Sequence, residues 1–128
     1  MSSPATILVV DDNAPQRYSL CRALTEEGFI VVEVASGVEA LLKAREPPDL
    51  VLLDVRLPDI DGLEVCRRLK ADPSTSKIPV VMISANEQNG SVVTAALQLG
   101  ALGFLFIPVK TSELVTVIRG SLARTSIR

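Results

Sequence analysis

The chain has 128 residues, of which 48% are hydrophobic and 22% charged, a balance typical of one globular domain with one core. A net charge of −2 and an aromatic content of 3% argue against direct nucleic-acid binding, because basic surfaces and stacking rings are scarce. No apolar run approaches the roughly 20 residues that cross a bilayer and no signal peptide is recognisable, so we expect a cytoplasmic protein without membrane contact.

Short apolar runs alternate with amphipathic stretches along the sequence. The predicted strands, in chain order, are 6–10, 29–35, 50–54, 78–84 and 103–107. The first two predicted helices begin after the N-caps Asn13 and Ser36. The third covers about 63–70, the fourth covers 86–99, and the fifth begins at a cap formed by Thr111 or Ser112. Strict alternation of five strands and five helices predicts an α/β fold, with a parallel sheet covered by helices on both faces.

The pattern indicates one domain over residues 1–128, with a core from about 6 to 122 and a frayed tail or linker start at 123–128. In the second predicted helix, Leu41 and Leu42 are both expected to be buried against the sheet.

Histidine is absent from the 128 residues, which excludes histidine-based zinc sites, Ser-His-Asp triads and a histidine phosphodonor within them. Cys21 and Cys66 lie far apart and outside any CxxC pattern, so we expect two packing residues and no disulfide. Carboxylates, hydroxyls and lysines must therefore carry any chemistry.

Acidic side chains stand at the ends of two predicted strands. Asp11 and Asp12 close the first strand, and Asp54 closes the third strand after the apolar run 50–53. If these strands are neighbours, the three carboxylates converge at the edge where open α/β sheets bind ligands. Close like charges raise the pKa of at least one carboxyl, and a divalent cation relieves the conflict. Hard oxygen ligands suit Mg²⁺, and Ser84 at the end of the fourth strand adds a hydroxyl.

Plainer interpretations stand beside this one. Asp11 and Asp12 are also explained as acids at a helix N-terminus, where the helix dipole favours negative charge. Asp59 and Asp61 are predicted to be turn residues before Gly62 without a chemical role. The basic run formed by Arg67, Arg68 and Lys70 is predicted to be a solvated helix face.

Four segments together resemble a bacterial two-component response-regulator receiver domain. They are ILVVDDN (7–13), DLVLLDVRLPDIDGLEVCRRLK (49–70), IPVVMISA (78–85) and LGALGFLFIP (99–108). The resemblance spans residues 6 to about 122. It implies a flavodoxin-like three-layer sandwich, with a five-stranded parallel sheet in the order 2-1-3-4-5 and five helices.

The resemblance also implies roles for the acids. Asp54 matches the phosphoacceptor, which takes a phosphoryl group from a phosphohistidine on a histidine kinase or a histidine phosphotransfer protein. Asp12, Asp54 and the backbone carbonyl of Arg56 would ligate Mg²⁺, and Asp11 would hold a metal-bound water. No stand-alone activity is implied beyond self-phosphorylation and autodephosphorylation.

The implied switch departs from the family pattern at one position. Ser84 matches the switch hydroxyl and Phe104 the switch aromatic, and Pro108 matches a proline common after the last catalytic residue. Ile107 stands where most receivers have a lysine that pairs with a phosphoryl oxygen. Arg56 is a candidate for compensating that loss, because a guanidinium also pairs well with phosphate. Receivers attached to sensor kinases can also lack the lysine, which makes a hybrid-kinase fragment a candidate origin.

Two alternatives remain open on the sequence. Ile107 favours a pseudo-receiver that acts as a phosphorylation-independent interaction module. A haloacid-dehalogenase-like phosphatase also uses an aspartate after an apolar strand, but it needs an acid where Arg56 stands.

The C-terminal helix region, with Val115, Thr116 and Val117, is a candidate dimer surface.

Overall fold

A computed structural model of the chain describes residues 3–85 and 90–126. Its strands are β1 (Thr6–Val10), β2 (Ile30–Val34), β3 (Leu50–Asp54), β4 (Val80–Ser84) and β5 (Gly103–Phe106). Its helices are α1 (Ala14–Glu26), α2 (Gly37–Lys43), α3 (Gly62–Ala71), α4 (Gly90–Gln98) and α5 (Thr111–Ser126). The predicted alternation of strands and helices is confirmed.

All strand pairs are parallel, and the sheet order is β2-β1-β3-β4-β5. The flavodoxin-like order that the family resemblance implied is therefore confirmed. Every residue of β3 and β4 is buried, as expected for central strands covered on both faces. The strand order reverses between β1 and β3, whose last paired residues are Val10 and Leu53. Ligands of open α/β sheets bind at such a reversal.

Alternate residues of each strand face opposite layers of helices. Helices α2, α3 and α4 cover the face that carries Leu8, Val10, Val51, Leu53, Val80 and Met82. Helices α1 and α5 cover the face that carries Ile7, Val9, Leu50, Leu52, Val81 and Ile83. Cys21 and Cys66 are buried and free, and they lie in opposite layers, which agrees with their prediction as packing residues. Within the described residues, no helix is long and apolar enough to span a membrane.

The structure differs from the predicted elements in three details. Leu42 is 56% exposed, because the face of α2 that meets the sheet carries Ala40, and Leu41 is only partly buried against the core. Helix α5 continues to Ser126, so the described part of the expected tail is helical. Thr111 is the first residue of α5, not its cap, and the carbonyl of Lys110 accepts from the backbone N–H of Leu114. The predicted helical residues 86–89 lie outside the description.

The loop between β3 and α3 is held tightly at both ends. The backbone N–H of Gly62 donates to the carbonyl of Val55 at 2.8 Å. A Cβ added at Gly62 would collide with the backbone carbonyl of Asp54 and would lie 2.8 Å from the Cα of Val55. Asp61 caps α3 by accepting from the backbone N–H of Leu63 at 2.8 Å. The strand end and the helix start therefore pack backbone against backbone.

Asp59 ties the same loop to α2. Its two carboxylate oxygens accept from the backbone N–H groups of Gly37 at 2.8 Å and Val38 at 2.9 Å. These hydrogen bonds, led by the one from Val38, lower the pKa of Asp59. Asp59 and Asp61 were expected to be plain turn residues, and they serve as anchors that fix where the loop runs.

We predict that Gly62→Ala lowers the free energy of unfolding by about 2 kcal/mol or more, because the new methyl group meets backbone atoms that cannot yield without moving β3. Urea denaturation followed by circular dichroism measures the change. Gly120→Ala is the matched control in α5, where an added Cβ meets nothing within 4 Å, and it should stabilise the chain by about 0.5–1 kcal/mol. Equal effects at the two glycines would contradict the steric explanation.

Candidate functional site

The ends of β1 and β3 bring three acids together. One carboxylate oxygen from each of Asp11, Asp12 and Asp54 lies within 4.8 Å of the others. Asp11 and Asp12 directly follow β1, and Asp54 is the last residue of β3, so the pairing of these strands places the acids side by side. The convergence expected from the sequence is present in the structure.

The three acids differ strongly in exposure. Asp11 is completely buried and Asp54 is 9% exposed, whereas Asp12 faces solvent. Desolvation raises the pKa of Asp54 to about 7. The backbone N–H of Arg56, which donates to Asp54 at 3.0 Å, works against the rise, and the charges of Asp11 and Asp12 add to it. Without a cation, simultaneous ionisation of the three carboxyl groups is therefore unfavourable.

The donor set fits a divalent cation with a preference for hard oxygen ligands. Three carboxylates at this separation provide oxygen atoms without nitrogen or sulphur, and Asp12 leaves one side of the group open to solvent. The pKa of Asp54 is raised mainly by desolvation, and a bound cation would offset the repulsion from Asp11 and Asp12 that adds to the rise. The chemistry of the site thus agrees with the magnesium expected from the sequence.

Asp11 is held by a network around the start of α1. Its carboxylate accepts from the backbone N–H of Asn13 at 2.9 Å and from the side-chain amide of Gln16 at 2.5 Å. Its backbone carbonyl accepts from the guanidinium of Arg17 at 2.7 Å, and Arg17 also pairs with Glu33 at 2.9 Å. Sequence reasoning missed Gln16. A polar residue in the first turn of a helix is ordinary, so the sequence offered no distinct signal for it.

An open pocket of about 420 Å³ lies above the acids. It is lined by Asp12, Asn13, Gln16, Asp54, Arg56, Ser84 and Ala85. Ser84 is the last residue of β4 and is 8% exposed, so its hydroxyl stands at the same sheet edge as Asp54. Of the lining residues, Arg56 carries the cationic side chain, while residues 86–89 fall outside the described part of the chain.

Phe104 lies deeper in the sheet than Ser84. It is half-buried, pairs in register with Met82, and packs against the core on the α2–α3–α4 side. Its ring centroid is 5.2 Å from that of Phe106, which pairs in register with Ser84. Phe104 does not line the acid pocket, and its predicted switching role is not tested by this arrangement.

Ile107 belongs to a neighbouring groove and does not line the pocket above the acids. Its side chain packs against the core on the α1–α5 side. The groove, about 360 Å³, is lined by Pro15, Gln16, Ser19, Leu20, Ala23, Ile107, Pro108, Val109, Thr111 and Leu114. Lys110 is exposed and lines neither cavity.

A family model for the response regulator receiver domain matches residues 7–119. The chain belongs to this family. The receiver domain is 43% identical over 119 residues to the DNA-binding response regulator MtrA of Mycolicibacterium paratuberculosis, a match that covers 92% of this chain and 51% of the relative. It is 42% identical over 124 residues to the response regulator MprA of Mycobacterium sp. strain KMS, covering 96% and 53%. The chain thus spans about half the length of these curated relatives.

Solved receiver structures share the fold closely. A putative response regulator from Chloroflexus aurantiacus superposes with a TM-score of 0.90 at 36% identity, covering 94% of this chain and 99% of that one. The receiver domain of the sensor histidine kinase PA1611 from Pseudomonas aeruginosa, solved with magnesium in its active-site cleft, gives 0.86 at 29% identity, covering 94% and 98%. These matches confirm the receiver resemblance.

The raised pKa of Asp54 predicts a pH dependence of stability in a chelator. The pKa of Asp54 is near its ordinary value of 3.8 in the unfolded state and about 7 in the folded state. Between these pH values Asp54 is ionised mainly in the unfolded state, so a rise in pH favours unfolding. We expect the free energy of unfolding to fall between about pH 4 and pH 7 by roughly 2–4 kcal/mol more in the wild type than in Asp54→Asn.

Urea titrations at pH 4.5, 6 and 8 measure this difference. Asp72→Asn is the control and should keep the pH slope of the wild type. Asp72 is exposed and hydrogen bonds from Ser74 lower its pKa, so its titration lies below the pH range of the experiment. Parallel pH profiles for the wild type and Asp54→Asn would show that the burial of Asp54 carries no electrostatic cost.

Proposed function

We propose that this receiver domain is a phosphoacceptor of a two-component phosphorelay, in which Asp54 takes a phosphoryl group from a phosphohistidine on a histidine kinase or a histidine phosphotransfer protein. The observation that supports it is the meeting of Asp54 with Asp11 and Asp12 beneath an open pocket. Membership of the receiver family supports the same role for the chain.

The transfer is a nucleophilic displacement at phosphorus. An oxygen of ionised Asp54 forms the new P–O bond while the P–N bond to the partner's imidazole breaks, and the imidazole leaves with the electron pair. One oxygen of Asp54 accepts from the backbone N–H of Arg56 at 3.0 Å, which helps to fix the carboxylate plane. The pocket admits the donor because Asp12 and Arg56 at its rim are exposed.

Mg²⁺ is the proposed cofactor. Asp12, Asp54 and the backbone carbonyl of Arg56 would hold it, and Asp11 would hold a metal-bound water. When bound, the ion supplies positive charge that offsets the charge on the phosphoryl oxygens. The magnesium in the cleft of the PA1611 receiver supports this proposal by analogy.

The remaining roles concern recognition of the phosphoryl group. Ser84 is proposed to donate its hydroxyl to a phosphoryl oxygen, and Phe104 to change rotamer when Ser84 moves. Arg56 is proposed to supply the cation that Ile107 cannot, since both Arg56 and Ser84 line the pocket and Ile107 does not. A guanidinium binds phosphate oxygens strongly, so this replacement is chemically adequate.

The competing interpretations fit the site less well. A pseudo-receiver has no need for three converging acids, which repel one another, and that alternative is not supported. The phosphatase alternative needs a second acid at the position of Arg56.

We further propose one domain over residues 1–128 with its core at about 6–122, a cytoplasmic location, and the C-terminal helix region as a homodimer surface.

Beryllofluoride, a phosphoryl mimic, tests the acceptor role directly. With Mg²⁺ present we expect the wild type to bind it stably and Asp54→Asn to lose binding by at least about 100-fold, because the amide cannot ligate beryllium as a carboxylate does. ¹⁹F NMR detects the bound fluorides. Asp72→Asn should match the wild type, and unimpaired binding by Asp54→Asn would place the acceptor elsewhere.

The role of Arg56 predicts a graded loss. Arg56→Ala should weaken beryllofluoride binding about tenfold, since one charge-assisted hydrogen bond is lost, and Arg56→Lys should fall between the two. Fluorine titrations measure the apparent Kd at constant Mg²⁺. Arg22→Ala, which removes an exposed arginine paired with Glu26 on α1, is the control. If Arg56→Ala binds as the wild type does, the missing lysine has no substitute at this position.

A further inference from the structure

Three residues at the start of α1 form a closed ring of hydrogen bonds. The backbone N–H of Asn13 donates to one carboxylate oxygen of Asp11 at 2.9 Å, and the backbone N–H of Gln16 donates to the side-chain oxygen of Asn13 at 2.9 Å. The side-chain amide of Gln16 then returns to the other carboxylate oxygen of Asp11 at 2.5 Å. Each residue thereby restricts the conformation of the next.

The ring constrains a carboxylate that is buried in the structure. Asp11 is 0% exposed, so its carboxylate depends on protein donors. The backbone donor from Asn13 is present whatever side chain stands at position 16. The amide of Gln16 is the donor to the second oxygen, and it therefore determines how the carboxylate plane is rotated about its bond to Cβ.

The chemistry of an amide matters for the charge of the site. Gln16 donates a hydrogen bond to Asp11 without placing a positive charge beside it, so the amide does not compete with a cation for this carboxylate. A lysine or arginine in its place would also donate, but it would offset the charge of Asp11 and repel a divalent ion. A methionine would fill a similar volume and donate nothing.

Gln16 also lies between the two cavities, since it lines both the acid pocket and the groove that contains Ile107. Its backbone is fixed by the N-cap Asn13 at the first turn of α1. An amide donor on a fixed backbone is a suitable support for a neighbouring ligand group.

We infer that Gln16 is a positioning residue for the acid site: its side-chain amide fixes the orientation of the Asp11 carboxylate and preserves its charge for a divalent cation. The inference rests on the Mg²⁺ site of the proposed function. Gln16 acts through Asp11 and has no contact of its own with the phosphoryl group in this role.

Calorimetric titration of the full chain with Mg²⁺ alone tests the inference. We expect Gln16→Met to weaken Mg²⁺ binding about tenfold, the usual scale for losing the hydrogen bond that orients a metal-site carboxylate. Gln16→Lys should weaken it further, because it adds a repelling charge. Gln98→Met, the same change on the exposed last residue of α4, is the matched control and should bind as the wild type does.

A double-mutant cycle with Asp11→Asn separates positioning from a general structural role. In the Asp11→Asn background, Gln16→Met should cause no further loss of Mg²⁺ affinity, because the carboxylate it orients is gone. Urea denaturation in a chelator checks that each variant is folded, and Gln16→Ala, which also removes the donor without adding charge, serves if Gln16→Met is not folded. Additive losses in the cycle, or wild-type affinity in Gln16→Met, overturn the inference. A wild-type chain that binds no Mg²⁺ overturns the metal site itself, and this role of Gln16 with it.

Discussion

The parallel pairing of β1 with β3 is the constraint on which the site depends. Their register ends with Val10 beside Leu53, so the next residues along each chain emerge at the same edge. Apolar burial on both faces holds these strands together, because the last paired residues, and those before them, are completely buried. The stabilisation of the core thus keeps mutually repelling carboxylates at close range, which no local interaction among the acids would do.

Much of the fold could be predicted from the apolar runs and from the capping residues between them. The continuous apolar runs of β3 and β4 predicted strands there, and the capping residues Asn13 and Ser36 located two helix starts correctly. The strand order could not be obtained this way, because burial patterns do not say which strands are neighbours. It came from the family resemblance. Leu42 shows a related limit, since hydrophobicity alone does not tell which face of a seven-residue helix meets the sheet.

The site was partly predictable for a different reason. Asp11, Asp12 and Asp54 follow apolar strands, and charges at such positions call for a compensating partner. Gln16 and Asp59 carry no comparable signal, because polar residues in a helix turn or a loop are ordinary. Their importance follows from what their side chains reach in space: a buried carboxylate for Gln16, and two backbone N–H groups of α2 for Asp59.

The clustered acids have a consequence for the lifetime of the chain in a cell. Burying Asp54 beside two other carboxylates costs folding free energy whenever no cation is bound, and a ligand that binds only the folded state restores it in proportion to the logarithm of its free concentration. Cellular proteases act on the small fraction of molecules that are open at any moment. Ion supply would then regulate not only phosphoryl chemistry but also how long each copy survives turnover.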